Sequence, residues 1–404
     1  MRSLCVALIV TFLLAATLAG WLRPAVALAK DDPPKIEAAA VAVMDVPTGR
    51  FIYAYRADRR VPMASTTKIM TARLALESLD PQQDVVVPPL DMRWDEMDVN
   101  LSPGQVLPAE KLMEALLVAS GGDAAKTLAV AVAGSEKAFV EQMNREAQEL
   151  GLDDTHYANS HGLDAAGHYT SAHDLSLLAR LEMEDPEFAR YVAMPSTTIP
   201  QQDDPKPLKV ESSNTLMLRN EWVDGVKTGY TNKAGSCLVA SGDYEKHDMI
   251  VTVLGAPDPE TRNQDVVKLF KYGASLYTMW RSPEAGHVMA SASVPYSRLP
   301  LDIVLAGRFS VSIPPGAEVS SDVTAPRVAE PPVAGDEELG RVVYKVDGTV
   351  RDERALLADR AVPTADWRSR LRFRLARVWQ RSSEAVAAAI KRAVDPRAVF
   401  TPAF

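Results

Sequence analysis

The sequence predicts an α+β domain followed by a small all-β domain and a basic amphipathic helix, and three observations predict it. Strand-like apolar runs stand at both ends of the region before Pro283, with helical periodicity between them, which is the order of an α+β domain whose first and last strands share one sheet. A proline-rich region of short alternating segments follows. From Asp366 to Val394 there is neither proline nor glycine, and Trp367, Leu371, Leu375, Val378 and Trp379 recur at helical steps.

The chain opens with "MRSLCVALIVTFLLAATLAG", one arginine and a long apolar run, and then Ala27-Leu28-Ala29 before Lys30, Asp31 and Asp32. This is the layout of a secretory signal over residues 1–29, with an uncleaved anchor as the alternative. No later apolar run is long enough to span a bilayer. Cys5 leaves with such a signal, so Cys237 remains alone and no internal disulfide is expected. In "GSCLVASG" it reads as a small buried strand residue.

"AAVAVMDVPTGRFIYAYRAD" reads as two strands joined at Val46–Gly49. A helix starting at Ser65 follows, then "PAEKLMEALLVAS" and, after a Gly-Gly turn, "DAAKTLAVAVAG" with Asp123 placed to cap it. Helical patterns recur in "EKAFVEQMNREAQELG" and "SAHDLSLLARLEM". From Trp222 the pattern turns to the strands "GSCLVASG" and "HDMIVTVLGA" and the helix "DVVKLFKYGASLY". The expected domains are 30–283, a β-rich 284–363, and a terminal helix and tail over 364–404.

Charge is divided unevenly. Residues 366–404 carry nine basic and three acidic side chains, a net +6, which leaves −15 for residues 1–365. An acidic body argues against nucleic-acid binding. The basic tail, with tryptophans on one face and most arginines on the other, points to an anionic membrane surface. A helix docked on the β domain with solvated arginines is the other reading.

"VPMASTTKIMTARLALES" places Ser65 and Lys68 one turn apart on one face at a helix start. Taken alone, this is either a nucleophile beside its base or an ordinary helix start with a solvated lysine. Two further stretches bear on it: "VASGGDAA" at Val118–Ala125, and "DGVKTGYT" at Asp224–Thr231. Ser-x-x-Lys, then Ser-Gly-x between two helices, then Lys-Thr-Gly at a strand resembles the serine acyl-transfer signature of penicillin-binding proteins and serine β-lactamases. The closer resemblance is to the D-alanyl-D-alanine carboxypeptidases, the low-molecular-mass penicillin-binding proteins. It rests also on "NSHGLDAAGHYTSAHDLSLLA" at Asn159–Ala179 and "GYTNKAGSCLVAS" after Lys227. It runs from about Ala38 almost to the C-terminus, with the β domain and basic helix resembling that family's carboxy-terminal module and peripheral anchor.

The resemblance implies a β-lactamase/transpeptidase-like catalytic domain, an antiparallel sheet flanked by helices. It implies that Ser65 attacks the penultimate D-alanine carbonyl of a peptidoglycan stem peptide, and that β-lactams inhibit by acylating the same serine. Lys68 would accept the serine proton, with Lys227 as a nearby cation that lowers its pKa and orients Ser120. Ser120 would relay the proton to the departing D-alanine, and Thr228 would bind the terminal carboxylate. The N–H groups of Ser65 and Tyr230, beside Gly229, would form the oxyanion hole. His161 and Asp164 would shape a supporting loop. The location implied is the periplasmic face of the cytoplasmic membrane.

The chain departs from the family pattern at Gly122, where the second motif usually has an asparagine whose amide contacts the lysine and the substrate carbonyl. Losing that contact would slow turnover. Ser213 also stands where some relatives have an arginine, just before Asn214. No metal or other cofactor is expected, since His161, His168 and His173 have no ligand-like spacing and no cysteine or carboxylate cluster supports them. The competing functions are a β-lactamase, for which no deacylating glutamate loop is apparent, a DD-endopeptidase, and a non-catalytic peptidoglycan-binding homologue.

Overall fold

The computed structural model describes residues 32–93 and 96–393, so the expected signal at 1–29 lies outside the described residues. It divides into two compact units, Met1–Thr278 with Pro314–Gly316, and Met279–Ile313 with Ala317–Phe404.

In the first unit, β1 (Ala40–Asp45) and β2 (Arg50–Tyr55) form the expected hairpin, closed by Gly49 N–H on the Asp45 carbonyl at 2.8 Å. The ribbons β3 (Asp84–Val86) with β4 (Val106–Pro108), and β5 (Ser196–Ile199) with β6 (Leu208–Glu211), are small. Three long strands complete the main sheet: β7 (Val223–Thr231), β8 (Gly235–Tyr244) and β9 (His247–Ala256). The sheet is antiparallel, in the order β2-β1-β9-β8-β7, so the first and last strands are neighbours as the sequence implies.

The helices are α1 (Lys68–Ser78), α2 (Ala109–Leu117), α3 (Gly122–Ala133), α4 (Glu136–Glu149), α5 (Ala172–Met183), α6 (Pro186–Val192) and α7 (Pro259–Ser275). Alternate strand residues decide which helices cover which face. Ala40, Ala42, Val239 and Ile250 pack into the core that includes α1–α6, whereas Val41, Val43, Leu238 and Val251 join Val266, Leu269 and Phe270 of α7. A sheet covered on both faces accounts for strands that read as continuous apolar runs. Asp258 caps α7 by accepting the N–H groups of Glu260 and Thr261, each at 2.9 Å, with Pro259 at the first helical position.

Ser65 does not begin the α-helix. It lies in a 3₁₀ turn, Ala64–Thr67, and α1 starts at Lys68. The Thr66 hydroxyl donates to Met63 O at 2.7 Å and the Thr67 hydroxyl to Ala64 O at 2.8 Å, which favours the tighter turn. Asp123 is likewise inside α3 rather than capping it; Gly121 holds the cap position.

The second unit contains all but the first residue of β10 (Thr278–Arg281), with β11 (Val288–Ala292), β12 (Leu301–Leu305), β13 (Ser310–Ile313), β14 (Val319–Thr324), β15 (Glu338–Val346) and β16 (Thr349–Ala358). Its five-stranded sheet runs β11-β12-β16-β15-β14 over a core that includes Leu301, Ile303, Leu305, Val342, Tyr344 and Leu356. The helix α8 (Trp367–Ala393) begins after Asp366, whose carboxylate accepts the Ser369 N–H at 2.6 Å. Its apolar stripe is exposed at Trp367, Leu371, Leu375, Val378, Trp379, Val386 and Ile390. Among the described residues no helix is long and apolar enough to cross a membrane.

Candidate active site

The 3₁₀ turn and the first residue of α1 bring Ser65 and Lys68 together. Lys68 Nζ donates to Ser65 Oγ at 3.0 Å and to the His161 carbonyl oxygen at 2.5 Å. Lys68 is buried, and that burial lowers its pKa to about 7. The negative charges of Glu96 and Asp123 oppose the shift and the Lys126 charge adds to it. A lysine that is partly neutral at neutral pH, bonded to a serine hydroxyl, can take that hydroxyl's proton.

Two glycines from separate segments approach the Ser65 backbone closely. A methyl group on Gly229 of β7 would stand 2.9 Å from Ser65 N and 3.2 Å from Met63 O. One on Gly162, whose φ is +99°, would stand 2.2 Å from Ala64 O and 2.9 Å from Ser65 N. Both positions require the missing Cβ, so the His-Gly-Leu-Asp loop and the Lys-Thr-Gly strand meet at the serine.

The loop from 159 to 164 is braced from several directions. Asn159 Oδ1 accepts the Gly162 N–H at 2.6 Å, and Thr71, one turn after Lys68, donates to Ser160 O at 2.6 Å. Asp164 accepts from the Thr231 hydroxyl at 2.9 Å, tying the loop to the end of β7. His161 serves chiefly through its backbone carbonyl. Its buried imidazole is held neutral, first by burial and then by the charges of Lys68 and Lys126, so its 3.7 Å approach to Glu96 is not an ion pair.

On β7, Lys227 is fully buried and donates to the Thr228 carbonyl at 3.1 Å. Burial pushes its pKa well below the lysine range, and the Lys68 charge pushes it further. One expectation is corrected, the contact of Lys227 with Ser120. Burial is the dominant cause of the Lys68 shift and the Lys126 charge adds to it, while among the described residues Lys227 makes no hydrogen bond to Ser120. Two buried lysines within each other's field disfavour each other's charge. Ser120 is buried in the turn between α2 and α3 with left-handed backbone, φ +64°, and its hydroxyl has no hydrogen-bond partner among the described residues. Tyr230 is 60% exposed, at the edge of a cavity of about 400 Å³ lined also by Arg59, Pro62, Asn232 and Lys233.

Ser213 links this strand to the Ser120 turn. Its N–H donates to the Val118 carbonyl at 3.3 Å, and its hydroxyl lies 2.7 Å from that of Thr228. A short side chain here reaches the threonine directly.

A sequence model of D-alanyl-D-alanine carboxypeptidases matches residues 27–258. The chain belongs to the D-alanyl-D-alanine carboxypeptidase family. It is similar to carboxypeptidase DacF of Bacillus subtilis, with 29% identity over 80% of this chain and 85% of that protein. Carboxypeptidase DacD of Salmonella typhimurium is 31% identical over 65% of this chain and 70% of its own. Among solved structures, penicillin-binding protein 5 of Haemophilus influenzae superposes with a TM-score of 0.58 at 27% identity, covering 83% of this chain and all of that one. The catalytic unit therefore has the fold of the penicillin-binding proteins, and the protein is a hydrolase of the serine-peptidase type.

Against this carboxypeptidase family pattern, the residue that sequence reasoning missed is Glu96. Its side chain lies against Gly122, where the family pattern usually has asparagine, and its Oε2 accepts from Lys126 Nζ at 2.8 Å. No periodic pattern marks it, because it stands in an irregular stretch between β3 and β4.

Proposed function

We propose that this carboxypeptidase removes the terminal D-alanine from peptidoglycan stem peptides through an acyl-enzyme on Ser65, and that penicillins acylate the same serine. The observation that carries the reading is the 3.0 Å bond between Ser65 Oγ and a buried Lys68 whose pKa lies at about 7. In this reading Ser65 O–H gives its proton to Lys68 Nζ as Oγ bonds to the penultimate D-alanine carbonyl carbon. The N–H groups of Ser65 and Tyr230 hold the resulting oxyanion. Ser120 passes the proton to the amine of the departing D-alanine, the C–N bond breaks, and water later hydrolyses the ester. Thr228 and Lys227 receive the substrate's terminal carboxylate, whose negative charge favours protonated Lys227 despite its burial.

Intact-mass measurement after benzylpenicillin, beside a D-alanine release assay on a D-Ala-D-Ala peptide, tests the reading. The expected result is one adduct per chain and D-alanine release, both absent in Ser65→Ala. A folded wild-type protein giving neither overturns it.

We further propose that the protein is exported by its N-terminal segment, residues 1–29, and that α8 holds it to the periplasmic face of the cytoplasmic membrane. The exposed apolar stripe of α8 and the +6 charge of residues 366–404 support this. In co-sedimentation at low salt, the chain from Lys30 is expected to bind phosphatidylglycerol-containing vesicles, and a chain ending at Ala365 to remain in solution. Equal partitioning of the two chains sinks the membrane assignment.

A further inference from the structure

Gly122 opens α3 without a side chain, yet the space beside it is filled. A methyl group there would stand 2.3 Å from Glu96 Oε1 and 2.7 Å from Glu96 Cγ. A side chain at 122 and the present rotamer of Glu96 therefore exclude each other.

The loop carrying Glu96 is pinned to the start of α3 by its backbone. Gly122 N–H donates to Met97 O at 2.7 Å, and Asp123 Oδ2 accepts the N–H groups of Val99 and Leu101 at 2.9 and 3.0 Å. Glu96 Oε2 is satisfied by Lys126 Nζ at 2.8 Å, with the two side chains only 3% and 10% exposed. Oε1 is buried and accepts no hydrogen bond among the described residues. Its neighbour His161 Nδ1, at 3.7 Å, is itself the acceptor of the Leu163 N–H at 3.3 Å and has no proton to offer in that state. A buried carboxylate oxygen left without a donor costs free energy, and such groups cluster where function maintains them.

We propose that Glu96 is the positioning residue of the second motif in this chain, filling from a separate loop the place that the family's asparagine side chain occupies. Gly122 is then the condition for Glu96 rather than a lesion in the motif. The proposal rests on the acyl-enzyme reading above. A carboxylate only accepts hydrogen bonds, so it takes over the lysine side of the asparagine's task and not the donation to a substrate carbonyl. It holds Lys126 through Oε2, and its charge steadies the Lys68 ammonium that forms when Ser65 gives up its proton. The other groups facing Lys68 are Asp123, which acts in the same sense, Lys126 and Lys227, which oppose it, and the neutral His161. Arg93 faces Glu96 on its own loop, with its N–H 3.4 Å from Oε2.

The test is the benzylpenicillin acylation rate followed by intact mass, with melting temperature recorded for every variant. Because Glu96 is a flexible side chain, Gly122→Asn is expected to fold with Glu96 displaced and to acylate ~10-fold more slowly. Glu96→Ala is expected to lose a similar factor. The double variant, with room for the asparagine, is expected within ~3-fold of wild type. Glu96→Gln keeps the shape and the bond to Lys126 while removing the charge. Since that charge raises the Lys68 pKa, the acid limb of the acylation rate moves to lower pH in Glu96→Gln, which a purely structural role would not do. A limb that stays in place overturns the proposal, as does Gly122→Asn acylating at the wild-type rate. A wild-type chain that takes no adduct overturns the acyl-enzyme reading and this one with it, whereas a labelled wild type with an unmoved limb overturns this one alone.

Discussion

Replacing Lys68 with methionine is expected to slow benzylpenicillin acylation of Ser65 by ~1000-fold or more, the loss of a positioned general base. Methionine fills a similar volume and brings no buried charge, so the fold should survive. What disappears is the acceptor for the Ser65 proton and the donor to the His161 carbonyl, now 2.5 Å from Lys68 Nζ. The wild-type rate should rise with pH through about 7, as Lys68 becomes neutral, and then level off. The residual rate of Lys68→Met should lack that limb. A variant within ~10-fold of wild type, or one that keeps the limb, would show that another group is the base.

Stability supplies a second readout with a definite sign. The folded pKa of Lys68, about 7, lies below the ordinary lysine value of 10.5, so between these the unfolded chain binds more protons. This contribution makes the wild type gain stability as pH rises from 7 toward 10, and lose it as pH falls over the same range. Lys68→Met lacks the contribution, so its unfolding free energy should depend less steeply on pH there. Urea melts at several pH values read the difference directly.

How much of this was visible in the sequence depends on whether the chemistry is local. Ser65 and Lys68 are three residues apart, and one helical turn of either kind brings them together, so the spacing survived the change from α-helix to 3₁₀ turn. The strands were legible because both faces of the sheet are covered, which made β1, β8 and β9 read as unbroken apolar runs. The electrostatics were not legible. That burial dominates the depression of Lys68, with the Lys126 charge adding to it, follows from how deep the lysine lies and what faces it. Glu96 was hidden for the same reason. Nothing in "DMRWDEMDVN" distinguishes it from the neighbouring acids, and only the backbone bonds of Met97, Val99 and Leu101 to the start of α3 carry it to Gly122. The second acceptor of Lys68 is a main-chain carbonyl, and the residue type that bears it leaves no trace of that role.

The same separation of local and long-range geometry sets the second large effect. Gly229→Ala is expected to lower acylation by ~100-fold, about the cost of one oxyanion-hole donor. Gly229 has no left-handed backbone, and its partner across the sheet is Cys237 in regular antiparallel register, so alanine strains no dihedral angle. The damage arises outside the strand. The new methyl would lie 2.9 Å from Ser65 N, 3.0 Å from Ala64 Cβ and 3.2 Å from Met63 O, and none of these is the free end of a flexible side chain. Gly162 also packs close to the turn, since a Cβ built on it would stand 2.2 Å from Ala64 O, so the serine turn has little room to move. Strand and turn must therefore separate by a few tenths of an ångström, and the Ser65 N–H loses its aim at the carbonyl oxygen. Penicillin acylation and D-alanine release should fall together, since both carbonyls use the same donor, while the acid limb stays at about pH 7 because Lys68 keeps its surroundings. Acylation within ~2-fold of wild type would show that the turn can yield there and that the Ser65 N–H is not a fixed oxyanion donor.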